Sequence, residues 1–326
     1  MNLLAICKGV CIPLALCVAV LLALVVSCST LPRIVPDMAR APSAPVQLDG
    51  IHGPLSAERS KAILERLKST GAETDIFDVH LAIEESIVGS PLTEGNKVDL
   101  LQDGPSTYQS MIKAVEAARD HINMETYILD DDEVGQRFAT ALIDRQQKGV
   151  QVNLIRDSVG TLGTPSAFFS RMTDAGIKVL EYNPVNPMTA KAGWDVNQRD
   201  HRKLLIVDGR IAFLGGINIS SVYSGGSFSS HSKTRPNGDL PWRDTDLRIE
   251  GPVVAELQKL FIGTWTTQKG EPLAARHYFP PPERKGTEVV RAIGSSPNEP
   301  FSLIYATLIS ALRSAQSEIW LTNAYF

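Results

Sequence analysis

Two hydrophobic periods alternate along the chain from about residue 98 onwards. Short apolar runs are separated by segments in which apolar residues recur every three or four positions, as in Tyr108, Met111, Ile112 and Val115. The runs predict strands over 98–101, 122–128, 150–155, 177–180, 204–207 and 211–214. The intervening segments predict helices, among them one over 166–175 and one that ends at Gly149. Strands that alternate with such helices indicate an α/β fold, with a sheet flanked by helices.

The starts of two helices are marked by local sequence. A turn over 103–105 followed by Ser106-x-x-Gln109 resembles a capping box, in which the two side chains satisfy free backbone N–H groups. Further upstream, residues 56–68 predict a surface helix that carries Ile63, Leu64 and Leu67 on one side. We therefore expect a small helical segment to precede the α/β unit.

A helix and the strand after it occur twice in the chain. Residues 112–122 and 309–319 share isoleucines at both ends and two alanines in register, and a strand pattern precedes each copy. We interpret this as a duplication, with a first repeat over 95–270 and the start of a second over 286–326. The second copy stops within its predicted strand from Ile319, so the sequence is expected to be a fragment of a two-repeat protein.

The first 28 residues have the pattern of an export signal. One charged residue, Lys8, precedes an apolar run from Val10 to Val26, and Ser27 and Cys28 follow. This end resembles the bacterial lipobox, in which Cys28 is lipidated and becomes the new N-terminus. An uncleaved transmembrane anchor is the alternative, since about 17 apolar residues are at the short end for spanning.

The signal and the residues after it predict where the protein is located. Both interpretations of residues 1–28 give a protein tethered to a membrane of the bacterial cell envelope, with its body in the periplasm. The segment 29–94 then forms a tether and the N-terminal helical segment, because 31–54 holds five prolines and little apolar pattern.

Composition excludes several classes of function. With 43% hydrophobic and 21% charged residues, the chain of 326 residues is globular rather than disordered. Its net charge of −4 argues against a nucleic acid as the main partner. All cysteines precede residue 29, and the histidines are scattered, so we expect neither a metal site nor a cofactor.

The candidate chemistry is concentrated between residues 201 and 218. His201 and Lys203 are two apart on a predicted strand, so their side chains leave the same face. The turn at Asp208-Gly209 returns the chain to the same edge, where Gly216 allows close backbone approach and Asn218 follows. An imidazole can attack phosphorus, while an ammonium and an amide hold the phosphate oxygens. These residue types suit a phosphodiester and need no metal.

The complete pattern His-x-Lys-x4-Asp-x6-Gly-Gly-x-Asn resembles the signature of the phospholipase D superfamily. Flanking segments, such as Glu125-Thr-Tyr-Ile128, Pro241-Trp-Arg-Asp244 and Gly251-Pro-Val, are similar to the bacterial cardiolipin synthase branch, and the likeness runs from about residue 95 to 326. The resemblance implies a mixed sheet flanked by helices, duplicated in full-length members. Gly216 stands where many other members have serine.

The resemblance also implies roles for the residues of the motif. His201 would be the nucleophile or its acid/base counterpart, and Lys203 and Asn218, with the backbone at Gly216, would bind phosphate. Asp208 would be the structural carboxylate of the catalytic motif, which fixes the turn. Such a site needs a second motif, expected near residue 398 of a longer chain or supplied by a partner chain.

Two further carboxylates are weaker candidates. Asp244 is similar to the downstream carboxylate that orients the histidine, but it could equally pair with Arg243 or Arg248. Glu125 could line the same cleft or face solvent from its strand. Two other features are not assigned to the site: His231 is expected to be a solvated loop residue, and the segment 160–163 a plain connection rather than a phosphate-binding loop.

The function implied by the resemblance is transfer of a phosphatidyl group through a phosphohistidine, with a phospholipid such as phosphatidylglycerol as substrate. Hydrolysis by the same chemistry, or a nuclease activity, is the first alternative. The second is a tethered protein without catalysis. A chain with one motif that dimerises to assemble the site is a third, made less favourable by the second repeat that has begun.

Overall fold

The computed structural model describes residues 46–69, 81, 89–185, 197–225, 241–297, 302–315 and 317–322. The strands in these ranges are β1 (Leu48–Gly50), β2 (Gly53–Pro54), β3 (Leu92–Leu101), β4 (His121–Thr126), β5 (Gln151–Asp157), β6 (Lys178–Tyr182), β7 (Leu204–Val207), β8 (Ile211–Gly215), β9 (Asp246–Glu250) and β10 (Glu288–Arg291). The helices are α1 (Ala57–Ser69), α2 (Gly104–Ala117), α3 (Glu133–Gln147), α4 (Ser166–Asp174), α5 (Val254–Thr267) and α6 (Leu303–Ser314).

These strands form one mixed sheet in the order β2-β1-β3-β9-β8-β7-β4-β5-β6, and β10 pairs with β3. Strands β4, β5 and β6 run parallel, as expected for strands joined through helices, whereas β3, β9, β8, β7 and β4 are antiparallel in succession. The predicted class, an α/β fold with a mixed sheet flanked by helices, is confirmed.

Two apolar layers hold the sheet between helices. On one face, α2, α3 and α4 bury residues such as Met111, Phe138 and Met172 against alternate positions of β4, β5 and β7. On the other face, α5 buries Phe261 and Trp265. Because strand β7 is covered on both sides, all four of its residues are buried, as its continuous apolar sequence predicts.

The start of α2 differs from the predicted capping box. The cap is Asp103, whose carboxylate accepts a hydrogen bond from the Ser106 backbone N–H at 2.9 Å. Asp103 is extended and precedes Gly104 and Pro105 in the first turn of the helix, so the helix begins three residues earlier than a Ser106 cap requires. The N-terminal helix was predicted over 56–68 and is found at Ala57–Ser69.

Two of the elements predicted for the second repeat are present, whereas the repeat itself stays a prediction. Its strand near residue 289 is β10, which is antiparallel to β3, and its helix is α6. The predicted strand from Ile319 is wrong over 319–322, where the backbone is irregular and Ile319, Trp320 and Leu321 are exposed. A strand needs a neighbour for its hydrogen bonds, and the described residues supply none there.

The targeting prediction falls outside what the structure describes. Residues 1–28, with Cys28, and the loop residue His231 lie outside the described residues. Among the helices of the described ranges, none combines the length and the apolar character that crossing a membrane requires.

Candidate functional site

One edge of the sheet collects the sequence-predicted site. In the register of the sheet, Glu125 of β4 lies opposite Leu204 of β7, and Gly215 of β8 lies opposite Asp246 of β9. Strands β4, β5 and β8 therefore end where β7 and β9 begin. We call this the site edge, since His201, Lys203, Gly216, Asn218 and Asp244 all follow or precede these strand ends.

His201 and Lys203 share one aromatic neighbour. Their segment has no regular secondary structure and precedes β7, which begins at Leu204, so the prediction that they lie on the strand is wrong by a few residues. The ring centroids of His201 and Tyr127 are 4.7 Å apart, and Lys203 Nζ lies 5.3 Å from the Tyr127 centroid. Lys203 Nζ also donates to the His201 carbonyl at 2.7 Å. Both side chains thus lie on the same side, as the spacing predicts.

The electrostatic environment of this pair favours a neutral imidazole beside a cationic ammonium group. Partial burial of the ring is the larger cause, and the charge of Lys203 the second, of a lowered pKa for His201. The imidazole, which is still accessible to solvent, is therefore neutral at pH 7 and can act as a nucleophile. Burial lowers the pKa of Lys203 to about 8, against the opposing effects of Asp200 and Asp244. Lys203 is 5% exposed yet still cationic at pH 7, which suits an anion-binding group.

Asn218 is buried and links two loops through side-chain hydrogen bonds. Its Oδ1 accepts from the Ile128 backbone N–H at 3.1 Å, and its Nδ2 donates to the Tyr223 hydroxyl at 2.8 Å. The side chain is 3% exposed. These bonds fix the loop after β8 against the loop after β4. A contact between Asn218 and phosphate would use the second Nδ2 hydrogen, and it stays a prediction.

Gly216 lies directly against Asp244. A Cβ atom at residue 216 would overlap the Asp244 carboxylate, and the Gly216 backbone N–H donates to the Thr245 carbonyl at 3.0 Å. The absence of a side chain at residue 216 therefore leaves room for an acid where many superfamily members are expected to carry a serine hydroxyl. Residues 216 and 244 are thus in packing contact, and a side chain at residue 216 would have to displace the Asp244 carboxylate.

Asp208 fixes a turn at the opposite edge. It adopts a left-handed conformation with φ of 52°, and its carboxylate accepts from the backbone N–H groups of Arg119, Asp120 and His121 at 2.8 to 3.0 Å. These bonds hold the β7–β8 turn against the connection between α2 and β4. The predicted structural role of Asp208 matches this geometry, and its carboxylate is a strand length away from the site edge.

Asp244 is exposed and does not hydrogen-bond to His201. Its Oδ1 accepts from the Thr245 backbone N–H at 2.8 Å, and its charge acts on Lys203 and Asp246. In the described geometry, Asp244 therefore does not orient the His201 ring as the resemblance implies. Of its alternative partners, Arg248 pairs instead with Glu250 at 2.8 Å.

Asp246, which the sequence does not single out, is the buried acid of this group. It is 1% exposed, its Oδ1 accepts from the Leu247 N–H, and its Oδ2 has no partner among the described groups. Burial above all, together with the charge of the neighbouring Asp244, raises the pKa of Asp246 to about 7, against the opposing effects of the Leu247 hydrogen bond and of Lys203. In the sequence Arg-Asp-Thr-Asp, no local pattern indicates which of the two aspartates, Asp244 or Asp246, is buried.

Replacing Asp246 by Asn is expected to change the pH dependence of stability. A folded-state pKa above the value of 3.8 for an exposed aspartate stabilises the native protein below pH 4, and this stabilisation is lost as the pH rises through 7. The Asn variant should therefore gain about 3–4 kcal/mol relative to the wild type between pH 4 and pH 8. Urea unfolding of both proteins at the two pH values measures this. Parallel pH curves would show that Asp246 titrates normally, and the exposed Asp99→Asn variant is the control.

Glu125 is buried beneath the histidine segment. It is 1% exposed, so the alternative that it faces solvent is wrong. Its Oε1 accepts from Arg202 Nη1 at 2.8 Å, and the same guanidinium donates to Thr264 of α5 and to the Ser295 carbonyl. Arg202 thus points away from its neighbours His201 and Lys203 and fastens their segment to the opposite helix layer.

Glu125 and Asp200 form a coupled carboxyl pair. Burial and the charge of Asp200 raise the pKa of Glu125 well above its ordinary value, and burial raises the pKa of Asp200. Glu125 Oε2 and Asp200 Oδ2 have no hydrogen-bond partner among the described groups, so the two acids interact through their charges within one buried site. Because burial disfavours two negative charges here, protonation of one acid changes the pKa of the other, and Arg202 faces the remaining charge.

The loop at 160–163 is a turn, as predicted. The Asp157 carboxylate accepts the backbone N–H groups of Val159 and Gly160 at 2.8 and 3.0 Å, and Asp157 Oδ2 accepts from the Asp200 N–H at 2.9 Å. Those N–H groups are thus already used within the loop. Among the described residues, no cluster of three or more potential ligands could hold a metal ion.

Sequence reasoning missed how four residues take part in the site. Tyr127 supports His201 and Lys203, while Asp200, Arg202 and Asp246 supply the buried charges below them. The available signal was the alternation of polar residues in β4, where His121, Asn123 and Glu125 share one face. All three are buried. A polar face on a strand between two helical layers indicates a buried polar site.

Comparisons with known proteins give the family to which the chain is similar. The family model described as cardiolipin synthase, phospholipase D-like domain matches residues 111–225. Cardiolipin synthase 1 of Bacillus anthracis is 33% identical over 257 residues, which are 76% of this chain and 48% of the relative. Cardiolipin synthase of Geobacillus sp. (strain WCH70) is 32% identical over 249 residues, 76% of this chain and 47% of the relative.

A solved structure is also similar. Nuc from Salmonella typhimurium, a phospholipase D family member, gives a TM-score of 0.38 at 16% identity and covers 55% of this chain and 99% of that one. The chain spans about half the length of the curated relatives it matches. With the matched domain and the complete motif from His201 to Asn218, the chain belongs to the phospholipase D superfamily, in its cardiolipin synthase-like branch.

Proposed function

We propose that this chain supplies one catalytic motif of a membrane-associated phosphatidyltransferase that acts through a phosphohistidine. The observation that carries the proposal is the pairing of a neutral, exposed His201 with a cationic, nearly buried Lys203 on the ring of Tyr127. A nucleophile beside a fixed cation is the arrangement that displacement at a phosphodiester needs. The relatives named cardiolipin synthase support a phospholipid as the substrate.

The proposed reaction has two displacements. An imidazole nitrogen of His201 attacks the phosphorus of phosphatidylglycerol, a P–N bond forms, and the P–O bond to the headgroup glycerol breaks. The glycerol leaves with a proton from a general acid. The free hydroxyl of a second phosphatidylglycerol then attacks phosphorus, returns its proton to that group, and breaks the P–N bond. The products are diphosphatidylglycerol and glycerol; with water as acceptor, phosphatidic acid forms instead.

The general acid is expected to come from a second motif. The groups around His201 that the structure describes are carboxylates below it and Lys203 beside it, and Asp244 is engaged at Thr245 and Gly216. A second histidine, from the remainder of a longer chain or from a partner chain, would complete the site. Attachment to the cell envelope through Cys28 or the apolar segment before it, with the body in the periplasm, would place this site beside its substrate.

The decisive experiment is a transfer assay on phosphatidylglycerol vesicles, with the chain alone and with a partner chain that carries a second motif. Formation of diphosphatidylglycerol with one glycerol released per product, and an acid-labile phosphoprotein from lipid labelled in the phosphate, would support the proposal. Phosphatidic acid alone would indicate hydrolysis. Cleavage of DNA without any lipid product would replace the proposal by a nuclease, and no turnover in either mixture would leave the non-catalytic alternative.

The charge on Lys203 predicts how phosphodiester binding depends on pH. Because the Lys203 pKa is about 8, the cationic fraction of Lys203 falls about thirtyfold between pH 7 and pH 9.5, and affinity for dimethyl phosphate, whose own charge is constant, should fall with it by about thirtyfold. Calorimetric titration at the two pH values measures this. The Lys203→Met variant should bind dimethyl phosphate weakly at both pH values. A wild-type affinity that stays constant to pH 9.5 would contradict the assignment of Lys203 as the phosphate-binding cation.

A further inference from the structure

Two large apolar side chains are exposed at the site edge. Leu162, in the loop after β5, is 74% exposed, and Trp242, in the segment before β9, is 51% exposed. Most of the other exposed large apolar residues in the described part belong to α6 and the segment after it. Leu162 and Trp242 are therefore the two large apolar side chains near the motif whose exposure to solvent needs an explanation.

Leu162 lies in a hydrogen-bonded turn that packs on Tyr127, the residue whose ring contacts His201. The Leu162 backbone N–H donates to the Val159 carbonyl at 3.1 Å, and the Thr164 N–H donates to the Thr161 carbonyl at 3.0 Å. Gly160 packs so closely on the Tyr127 carbonyl and ring that a Cβ atom would not fit. The ring of Tyr127 in turn contacts His201. The exposed leucine is thus held at a fixed place beside the nucleophile.

Trp242 is held on the other side of the motif. Its backbone N–H donates to the Val222 carbonyl at 2.9 Å, and its ring meets Tyr223 edge-on, with centroids 5.8 Å apart. The Tyr223 hydroxyl accepts from Asn218, and Asp244, two residues after Trp242, packs on Gly216. A tryptophan whose position is fixed in this way, with half of its surface in solvent, is suited to an interface between water and an apolar phase.

The strand order places the motif between the two side chains. From β5 to β9 the order is β5-β4-β7-β8-β9, so Leu162 and Trp242 leave strands about 19 Å apart, and the strand that follows His201 is in the middle. Polar groups, among them His201 and Asp244, occupy the space between. A protein partner would be expected to cover a contiguous apolar patch, whereas two apolar points on either side of a phosphate site match a layer of phospholipid headgroups above acyl chains.

We propose that Leu162 and Trp242 form a lipid-contacting rim that seats the site edge on the surface of a phospholipid bilayer. The rim would allow a substrate phosphate to reach His201 while its acyl chains stay in the membrane. This inference rests on the proposed phospholipid substrate and specifies how the site meets it. It concerns the orientation of the folded body, which a tether at the N-terminus does not determine.

The test moves one tryptophan among three positions in the full chain, reconstituted with vesicles of phosphatidylglycerol whose acyl chains carry bromine, a short-range quencher. The Trp242→Phe variant provides the background, and all other tryptophans are unchanged. In that background, Leu162→Trp places the probe on the proposed rim. Phe279→Trp places it at a residue that is also 51% exposed but lies near the β7–β8 turn at the opposite edge, where Tyr278 packs beside Gly209.

The wild type is expected to lose at least about half of the fluorescence contributed by Trp242, and the Leu162→Trp variant should regain a quenched component. The Phe279→Trp variant should gain a component that bromine does not quench. Equal quenching at residues 279 and 242, or none at 162 and 242, would overturn the rim. Quenching needs no turnover, so a failed transfer assay with this pattern intact would refute the proposed reaction and leave the rim standing.

Discussion

His201→Asn is expected to lower phosphatidyl transfer by at least about 10³-fold, because the amide cannot form the covalent bond to phosphorus that the imidazole makes. The acid-labile phosphoprotein should disappear with it. Folding should be unaffected, since the side chain is exposed and its ring only packs on Tyr127. The measurement is the initial rate of diphosphatidylglycerol formation, in the mixture that gives wild-type turnover, with urea unfolding in parallel.

The matched control is His277→Asn. His277 is also exposed, but it lies near the opposite edge, where its backbone N–H donates to Asp120. This variant should transfer at the wild-type rate and unfold at the wild-type urea concentration. Wild-type transfer by His201→Asn would refute its catalytic role, whereas a joint loss of transfer and stability would show that residue 201 is structural.

Glu125→Ala is expected to cost about 3–5 kcal/mol of unfolding free energy, the largest stability effect predicted for the site. The substitution leaves Arg202 buried without its carboxylate, and removing one member of a buried pair has a cost of this size. It also removes the buried carboxyl group that interacts with Asp200. Urea or thermal unfolding at pH 7 measures the loss.

Two further variants separate the charge from the packing. Glu125→Gln keeps the volume and one acceptor for Arg202, so it should lose less than Glu125→Ala. The exposed pair of Lys97 and Asp99, whose side chains are 51% and 41% exposed, provides the control, and Asp99→Ala should change stability by less than about 1 kcal/mol. Equal small losses at residues 125 and 99 would mean that Glu125 is hydrated and that Arg202 does not depend on it.

Much of the fold can be predicted from local sequence. The period of apolar residues identified the strands from β4 to β8 to within a few residues, because each strand must present apolar side chains to the layers that cover it. The turn at Asp208 was also predictable, since a left-handed position followed by Gly209 is strongly encoded. The start of α2 was not, because Ser106 and Asp103 are both acceptable caps and only the backbone path chooses between them.

The strand from Ile319 shows the limit of local pattern. The residues from 319 follow a helix segment that is similar to the one before β4, yet they do not form a strand over 319–322. Strand β4 is paired on both sides, by β5 and β7, whereas the described residues offer 319–322 no partner. Strand propensity expresses how a residue packs on its neighbours, so the same pattern gives different structures with and without them.

By itself, the sequence determined the α/β alternation, the turn at Asp208, and the spacing that brings His201 and Lys203 to one side of the chain. Only the tertiary structure decided that Glu125 is buried with Arg202, that Asp246 rather than Asp244 is the inaccessible acid, and that Tyr127 contacts both His201 and Lys203. The physical reason is that spacing along a strand is local, whereas the burial and pKa of a side chain depend on what covers it. Glu125, for example, is paired with Arg202, and the same guanidinium binds Thr264 of α5, which is 139 residues further along the chain than Glu125 itself.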